Sequence, residues 1–173
     1  MFSNKVRLFI LLTFLLLLGI LVYIRIYELA AVSVLMILLL IWDYYRQGTL
    51  VVAAKFFHQK DFDKAELLLK EVPNPNWLSK KRRGYYEYMY GGICIHRQNF
   101  NAAAKHYETA SQYPLRSVND HVAALATVAN ISINQGEYDK AKAYLQLAEN
   151  HKEKITAKMK DVIRKLNQEL KKH

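Results

Sequence analysis

The stretch FNAAAKHYETA, residues 100–110, decides how the rest of the chain is interpreted. Its aromatic first residue, Phe100, is followed by Ala103, by the large Tyr107 and by the small Ala110. Residues at these spacings lie on one face of an α-helix. The small residues allow another helix to approach closely, and the tyrosine fills the gap beside it. The stretch therefore predicts a helix that packs tightly against neighbouring helices.

The same pattern occurs twice more, at a constant distance along the chain. FDKAELLLKEV begins at Phe62 and YDKAKAYLQLA begins at Tyr138, so that Ala65, Ala103 and Ala141 are spaced 38 residues apart. A period of this length is typical of stacked structural repeats. The chain is therefore expected to contain about three similar helical units.

This pattern resembles the second helix of the tetratricopeptide repeat (TPR), in which an Ala, a large residue four positions later and a terminal Pro recur about every 34 residues. The copy that matches best has Ala103, Tyr107, Ala110 and Pro114, with Gly91 or Gly92 where the family has a glycine in its first helix. The resemblance implies an all-α solenoid of about three repeats, in which the first helices line a protein-binding surface. A generic array of helical hairpins is the alternative interpretation.

The C-terminal segment is expected to close this solenoid. Residues 152–171 carry one apolar stripe at helical spacing, formed by Ile155, Met159, Val162, Leu166 and Leu170. The opposite face is mostly Lys and Arg. Terminal repeats need an amphipathic element to shield the last core surface. The segment is therefore predicted to be a capping helix.

The N-terminal region has a different composition. Two uncharged apolar runs, 8–24 and 29–42, are separated by a short polar link. A membrane span needs about 20 mainly apolar residues, and each run reaches this length if flanking Tyr and Trp residues count as interfacial. The sequence thus predicts a transmembrane hairpin in 1–46 and a TPR-like domain in 47–173, with Gly48 as a hinge. A cleaved signal peptide is the competing interpretation.

Basic residues near the ends of the predicted spans give an orientation. Lys5, Arg7 and Arg46 flank the outer ends of the two runs, and basic flanks favour the cytoplasmic side. The predicted location is a two-span, multi-pass protein of a bacterial-type inner membrane, with the repeats in the cytoplasm. The net charge of +10 and the pI of about 9.6 also suit contact with an anionic surface.

No residue pattern in the chain is typical of catalysis. The six histidines include no HExxH or paired ligand spacing, and there is no Gly-rich phosphate loop or GxSxG elbow. The single cysteine, Cys94, lies in an apolar helical segment and is expected to be a small packed side chain. We therefore predict a protein that is not an enzyme and that has no metal site and no cofactor.

Two surfaces are candidates for binding. By the resemblance, the groove residues on the first helices are Phe57, Tyr85, Tyr88, Met89, His96, Asn130, Ile133 and Asn134. The second surface is the basic run Lys80, Lys81, Arg82 and Arg83. This run is interpreted first as a solvated helix face and second as a contact for anionic lipid or an acidic partner. Nucleic acid is the least favoured partner, although tyrosines follow the run.

The sequence therefore favours a protein–protein interaction module, an adaptor or scaffold that is anchored in a membrane and binds a partner protein at the cytoplasmic face. The alternative is a structural subunit or assembly factor of a membrane protein complex that acts through its transmembrane helices.

Overall fold

The computed structural model of the protein describes the backbone of residues 4–172 and the side chains of residues 10, 12–39, 42 and 49–172. The α-helices are α1 (Asn4–Tyr23), α2 (Tyr27–His58), α3 (Phe62–Lys70), α4 (Lys80–His96), α5 (Phe100–Ser111), α6 (Val118–Asn134), α7 (Tyr138–Glu149) and α8 (Ala157–Leu170). Short 3₁₀ turns occur at Pro75–Trp77 and Lys152–Lys154. No strand occurs within residues 4–172, and the predicted all-α class is confirmed.

The chain divides into two compact units, and the boundary follows Gly48. Gly48 itself lies inside α2, so the predicted hinge is not a break in the helix. A single glycine costs a helix only about 1 kcal/mol relative to alanine, which the surrounding helical hydrogen bonds can offset. The division into domains 1–46 and 47–173 stays a prediction, and residues 1–3 of the first domain lie outside the described residues.

The prediction of a membrane-spanning hairpin is wrong. Within the part of the chain that the structure describes, no helix is long and apolar enough to cross a membrane. The uncharged part of α1, residues 8–23, is shorter than the lower limit of about 17 residues. In α2 the uncharged part between Glu28 and Asp43 is shorter still. The charged residues thus interrupt the apolar runs that the flanking aromatic residues were expected to extend. The predicted inner-membrane location and orientation depend on these spans and are therefore wrong as well.

In the first unit, α1 and α2 are joined by a turn in which Arg25 has a left-handed φ of 65°. Ala30 and Ser33 are buried, and the Ser33 hydroxyl donates a hydrogen bond to the Leu29 carbonyl (3.1 Å). Most of the large apolar side chains described in this unit are exposed, with Leu16 68% and Tyr23 89% accessible. The described part of the unit therefore has little interior of its own.

In the second unit, the backbone repeats with the period of the alanines. Lys60, Gln98 and Gly136 all have left-handed φ angles (62°, 59° and 77°), and they too are spaced 38 residues apart. In each turn the next N–H donates to the carbonyl five residues earlier, from Asp61 to Phe56, from Asn99 to Cys94 and from Glu137 to Ser132. These are C-terminal caps of the Schellman type. The three helix-to-helix turns are thus copies of one structure.

The helices that follow these turns begin where the sequence indicates. α3, α5 and α7 start at Phe62, Phe100 and Tyr138. The Asp61 and Asn99 side chains accept bonds from backbone N–H groups in the first turns of α3 and α5, as N-caps do. Ser117 caps α6 in the same way, since its hydroxyl accepts the Asp120 N–H at 3.0 Å.

Three apolar clusters fill the second unit, and the repeat alanines lie in each of them. Ala65 packs with Leu50 and Met89 where α2, α3 and α4 meet. Ala103 packs with residues of α4 and α6, among them Ile95, Ala124 and Val128. Ala141 belongs to the third cluster, with residues of α6 and α8 that include Val122, Leu125, Ile163 and Leu166. All three alanines are fully buried.

Candidate functional site

The exposed face of α6 borders two adjoining cavities. One, of about 580 Å³, lies among α4, α5 and α6, and the other, of about 310 Å³, lies between α6 and α8. Thr127 and Asn130 line both, so the cavities form one surface depression along the helix. We call this depression the α6 groove. Its lining residues are Ile95, Phe100, Tyr107, Ala123, Ala126, Thr127, Asn130, Ile131, Asn134, Gln135, Met159, Val162, Lys165 and Leu166.

Helical spacing places these groups on one side of α6. Ala123, Thr127, Asn130 and Asn134 follow one another at intervals of three or four residues. The Thr127 hydroxyl donates to the Ala123 carbonyl at 2.8 Å and is therefore occupied within the helix. Asn130 and Asn134 are exposed, and their side-chain amides form no hydrogen bond within the described residues. Each amide can both donate to and accept from a ligand.

Apolar groups flank the amides at both ends of the α6 groove. Phe100, at the start of α5, is 50% exposed, and Val162 of α8 is 37% exposed. Met159 lies on the same stretch of α8 and is half-buried. Lys165 is the only charged residue among the described lining groups. The groove therefore offers a mainly apolar, amide-bearing surface.

Several predicted groove residues take part in the core instead. Met89 is fully buried, and Ile133 is 5% exposed, so neither can contact a ligand in this conformation. The ring of Phe57 packs against Gly92 of α4. His96 is exposed, and its ring lies 4.5 Å from the ring of Phe62. Of the eight predicted groove residues, only Asn130 and Asn134 line the α6 groove.

Tyr85 and Tyr88 form a separate half-buried aromatic patch. Their rings stack with centroids 6.2 Å apart, and the Tyr85 hydroxyl is 2.7 Å from Nε2 of His58. Burial, with the nearby Asp120 carboxylate, raises the pKa of Tyr88 to about 12. Burial also raises the pKa of Tyr85. Both phenols are therefore neutral at physiological pH and can act only as hydrogen-bonding and apolar groups.

Only the first two residues of the predicted basic surface are fully exposed in the structure. Lys80 and Lys81 are exposed, whereas Arg82 and Arg83 are half-buried. The Arg83 guanidinium pairs with the Glu87 carboxylate at 2.7 Å and lies over the ring of Tyr86. Arg83 is thus engaged inside the protein and contributes little to an external surface.

Glu87 is the centre of a polar contact between α4 and α5 that the sequence did not reveal. It is 4% exposed, and it is paired with Arg83 and with Nδ1 of His106 (2.6 Å). The His106 ring stacks on Tyr90 with centroids 5.2 Å apart. A buried carboxylate needs such partners to remain charged. Both carboxylate oxygens of Glu87 are thus engaged within the protein, one by Arg83 and the other by His106.

The sequence also missed Phe100, Thr127, Met159 and Val162 as groove residues. Thr127 could have been found, because it precedes Asn130 by three residues and therefore shares its helix face. Phe100 belongs to the repeat pattern, and Met159 and Val162 belong to the apolar stripe of the predicted capping helix. Only the packing of α5 and α8 beside α6 shows that parts of these side chains remain exposed.

No group of three or more potential metal ligands occurs among the described residues. In comparisons with known proteins, no family model, no curated protein and no solved structure matches the chain.

Proposed function

We propose that this protein is a TPR-like interaction module that binds an extended segment of a partner protein in the α6 groove. The observation that carries the proposal is the position of Asn130, an exposed amide that borders both cavities. The resemblance of the repeated sequence pattern to TPR helices supports the same class of function. So does the 38-residue repetition of the turns, since repeat arrays commonly bind partners on surfaces formed by successive units.

The dimensions of the α6 groove fit a short peptide. From Ala123 to Asn134 the helix rises about 16 Å at about 1.5 Å per residue. An extended chain advances about 3.3 Å per residue, so about five residues of a partner would lie along this length. The Asn130 and Asn134 amides would bond to the partner backbone, while Phe100 and Val162 would contact its apolar side chains.

The test uses cross-linking from inside the α6 groove. A photoreactive residue is placed at Asn130 and, as a control, at Asn150, an exposed position outside the groove. A partner that cross-links from position 130 but not from position 150 is then purified. Its affinity is measured for the parent chain and for the variants Asn130→Ala, Asn150→Ala and Lys80→Gln/Lys81→Gln.

The proposal expects only Asn130→Ala to weaken binding, by about tenfold, because truncation of a central interface residue commonly costs more than about 1 kcal/mol. Normal binding by Asn130→Ala together with loss of binding in the lysine variant would move the site to the basic face of α4. Equal cross-linking from both positions would reject the groove.

The exposed apolar side chains of the first unit favour a second candidate function, that of a subunit in a larger assembly. Leu16, Leu35 and Leu38 are 57–68% exposed, and exposed apolar patches of this kind mark interaction sites. In this case the variant Leu16→Gln/Leu35→Gln/Leu38→Gln should no longer elute as part of a larger assembly on size-exclusion chromatography. The variant Asn130→Ala should still elute as part of that assembly. The reverse result would support the groove-binding function alone.

A further inference from the structure

Half of the protein's net charge lies in its last helix and the turns beside it. Residues 150–173 contain eight Lys and Arg residues against three Asp and Glu residues, a net +5 of the total +10. The apolar face of α8 is already used, because Ile163 and Leu166 are buried against α6 and α7. On the other side of α8, Lys158, Lys160 and Arg164 are exposed, and this observation is independent of the α6 groove.

Part of this charge surrounds a cavity of about 490 Å³ between α8 and the end of α7, which we call the α8 cleft. Four basic side chains line it, those of Lys152, Lys160, Arg164 and Lys171. The Gln168 amide lies beside them and adds a neutral hydrogen-bond donor. The volume lies within the range of ligand-binding clefts.

The two carboxylates in the α8 cleft are engaged by other groups. Glu149 accepts a bond from the Asn167 amide at 2.8 Å. Asp161 pairs with Arg164 and, at 3.0 Å, with Lys165. These partners, Arg164 first, lower the pKa of the Asp161 carboxyl, so that it stays ionised and paired.

Three of the cations in the cleft take part in no ion pair. Lys152, Lys160 and Lys171 form no ion pair within the described residues. The four basic side chains outnumber the Glu149 and Asp161 carboxylates, so the cleft keeps an excess of positive charge that an anion would relieve. The chemistry of the cleft therefore selects an anionic ligand.

The spacing of the lysines decides the shape of that ligand. Lys160 and Lys171 are separated by about 16 Å along the helix axis at about 1.5 Å per residue. A single phosphate ion cannot reach both. A ligand that neutralises all three lysines must be extended and must carry several charges. None of the described residues that line the cleft is aromatic, so they offer no platform on which nucleic-acid bases could stack.

We propose that the α8 cleft binds a linear chain of phosphate groups, with Lys152, Lys160 and Lys171 as the contacting cations. Recognition is electrostatic and follows the phosphate backbone, without contacts to bases or to lipid chains. Such binding is expected to weaken steeply as salt is added, because each neutralised phosphate releases a counterion.

The experiment titrates the full chain with short-chain inorganic polyphosphate by calorimetry at low salt. The test variant is Lys152→Gln/Lys160→Gln/Lys171→Gln. The matched control is Lys154→Gln/Lys158→Gln/Lys172→Gln, which removes the same charge from exposed positions outside the cleft. All six residues are exposed, so the core is unchanged, and circular dichroism checks that the helical content is equal.

The proposal expects the test variant to bind polyphosphate about tenfold more weakly than the control variant, since three individually weak charged contacts are lost. It also expects orthophosphate, at the same phosphate concentration, to compete poorly. Equal weakening in both variants would show attraction by overall charge and overturn the site. Binding to anionic vesicles or to single-stranded DNA, with none to polyphosphate, would also overturn it.

Discussion

At the scale of single residues, small size decides whether the repeats can pack. Ala65, Ala103 and Ala141 are each completely buried where three helices meet. Their side chains contribute little buried apolar area, and their structural role is to allow the helices to approach closely. The sequence pattern identified them for this reason, and the structure places all three inside the core.

We expect Ala141→Leu to destabilise the second unit by about 1–3 kcal/mol, because the larger side chain has no space between α6, α7 and α8. Ala143→Leu is the matched control, since Ala143 is exposed on the same helix two residues later. The free energies of unfolding from urea titrations provide the measurement. Equal stability of the two variants would contradict the packing role of Ala141.

A second residue-scale prediction concerns pH and His121, whose ring lies edge-on to that of His151 at 5.4 Å. Burial, with the nearby charge of His151, lowers the pKa of His121 below its ordinary value of 6.5. The unfolded chain therefore binds this proton more tightly than the folded chain, and protonation favours unfolding. Stability should fall as the pH drops through 6.5, until the lower folded-state pKa is passed.

The measurement is the urea midpoint between about pH 7.5 and about pH 5 for the parent, for His121→Gln and for the control His96→Gln. The parent and the control should lose stability on acidification by similar amounts, and His121→Gln should lose less. A His121→Gln variant with the full pH dependence of the parent would show that other groups cause it.

At the scale of elements, α4 is the helix on which the neighbouring elements converge. Its glycines mark the contacts, because a Cβ at Gly91 would lie 2.8 Å from the Tyr107 ring of α5 and one at Gly92 would lie 2.6 Å from the Phe57 ring of α2. The Tyr107 ring is buried and cannot move away easily. Close approach, and not backbone freedom, therefore explains these glycines within a helix.

We expect Gly91→Ala to destabilise the protein even though alanine is the better helix former. The steric conflict with Tyr107 should outweigh the gain of about 1 kcal/mol in helix propensity. Gly19→Ala serves as the control, because no atom lies within 4 Å of its added Cβ, and it should leave stability unchanged or raise it. Thermal unfolding of both variants is the readout, and a stabilised Gly91→Ala variant would refute the proposed contact.

At the scale of the whole molecule, α8 closes the open end of the repeat array. Ile155, Ile163 and Leu166 cover the apolar surface of Val122 and Leu125, which belongs to the last hairpin. The three hairpins α2–α3, α4–α5 and α6–α7 cover one another in the same way. α8 differs in having no second helix after it within the described residues.

Removal of residues 152–173 should therefore expose this apolar surface and cause aggregation. Size-exclusion chromatography and light scattering would detect it. Removal of residues 171–173 alone is the control, because it leaves the buried residues of α8 in place. A monomeric, fully helical protein after the larger deletion would show that α8 is not needed as a cap.

The repeats were predictable because each helix carries its own periodic signal. The 38-residue spacing, the starts of α3, α5 and α7 and the amphipathic character of the last helix all follow from local spacing of small, large and charged residues. The continuous α2 was not predictable in this way, because one glycine at position 48 does not end a helix. The membrane spans were wrongly predicted because interfacial aromatic residues were counted as extending runs that charged residues interrupt.

The sequence by itself determined the helical class, the repeat and the buried alanines, since these depend on neighbours along one helix. Only the tertiary structure decided which residues remain exposed and available for binding. Met89 and Ile133 are predicted groove residues, but neighbouring helices bury them in the structure. Arg83 is a predicted surface charge, but it is paired with Glu87. The exposure of a side chain depends on how helices from different repeats pack together. Helical periodicity shows which residues share a face, but it does not show which helix packs against that face.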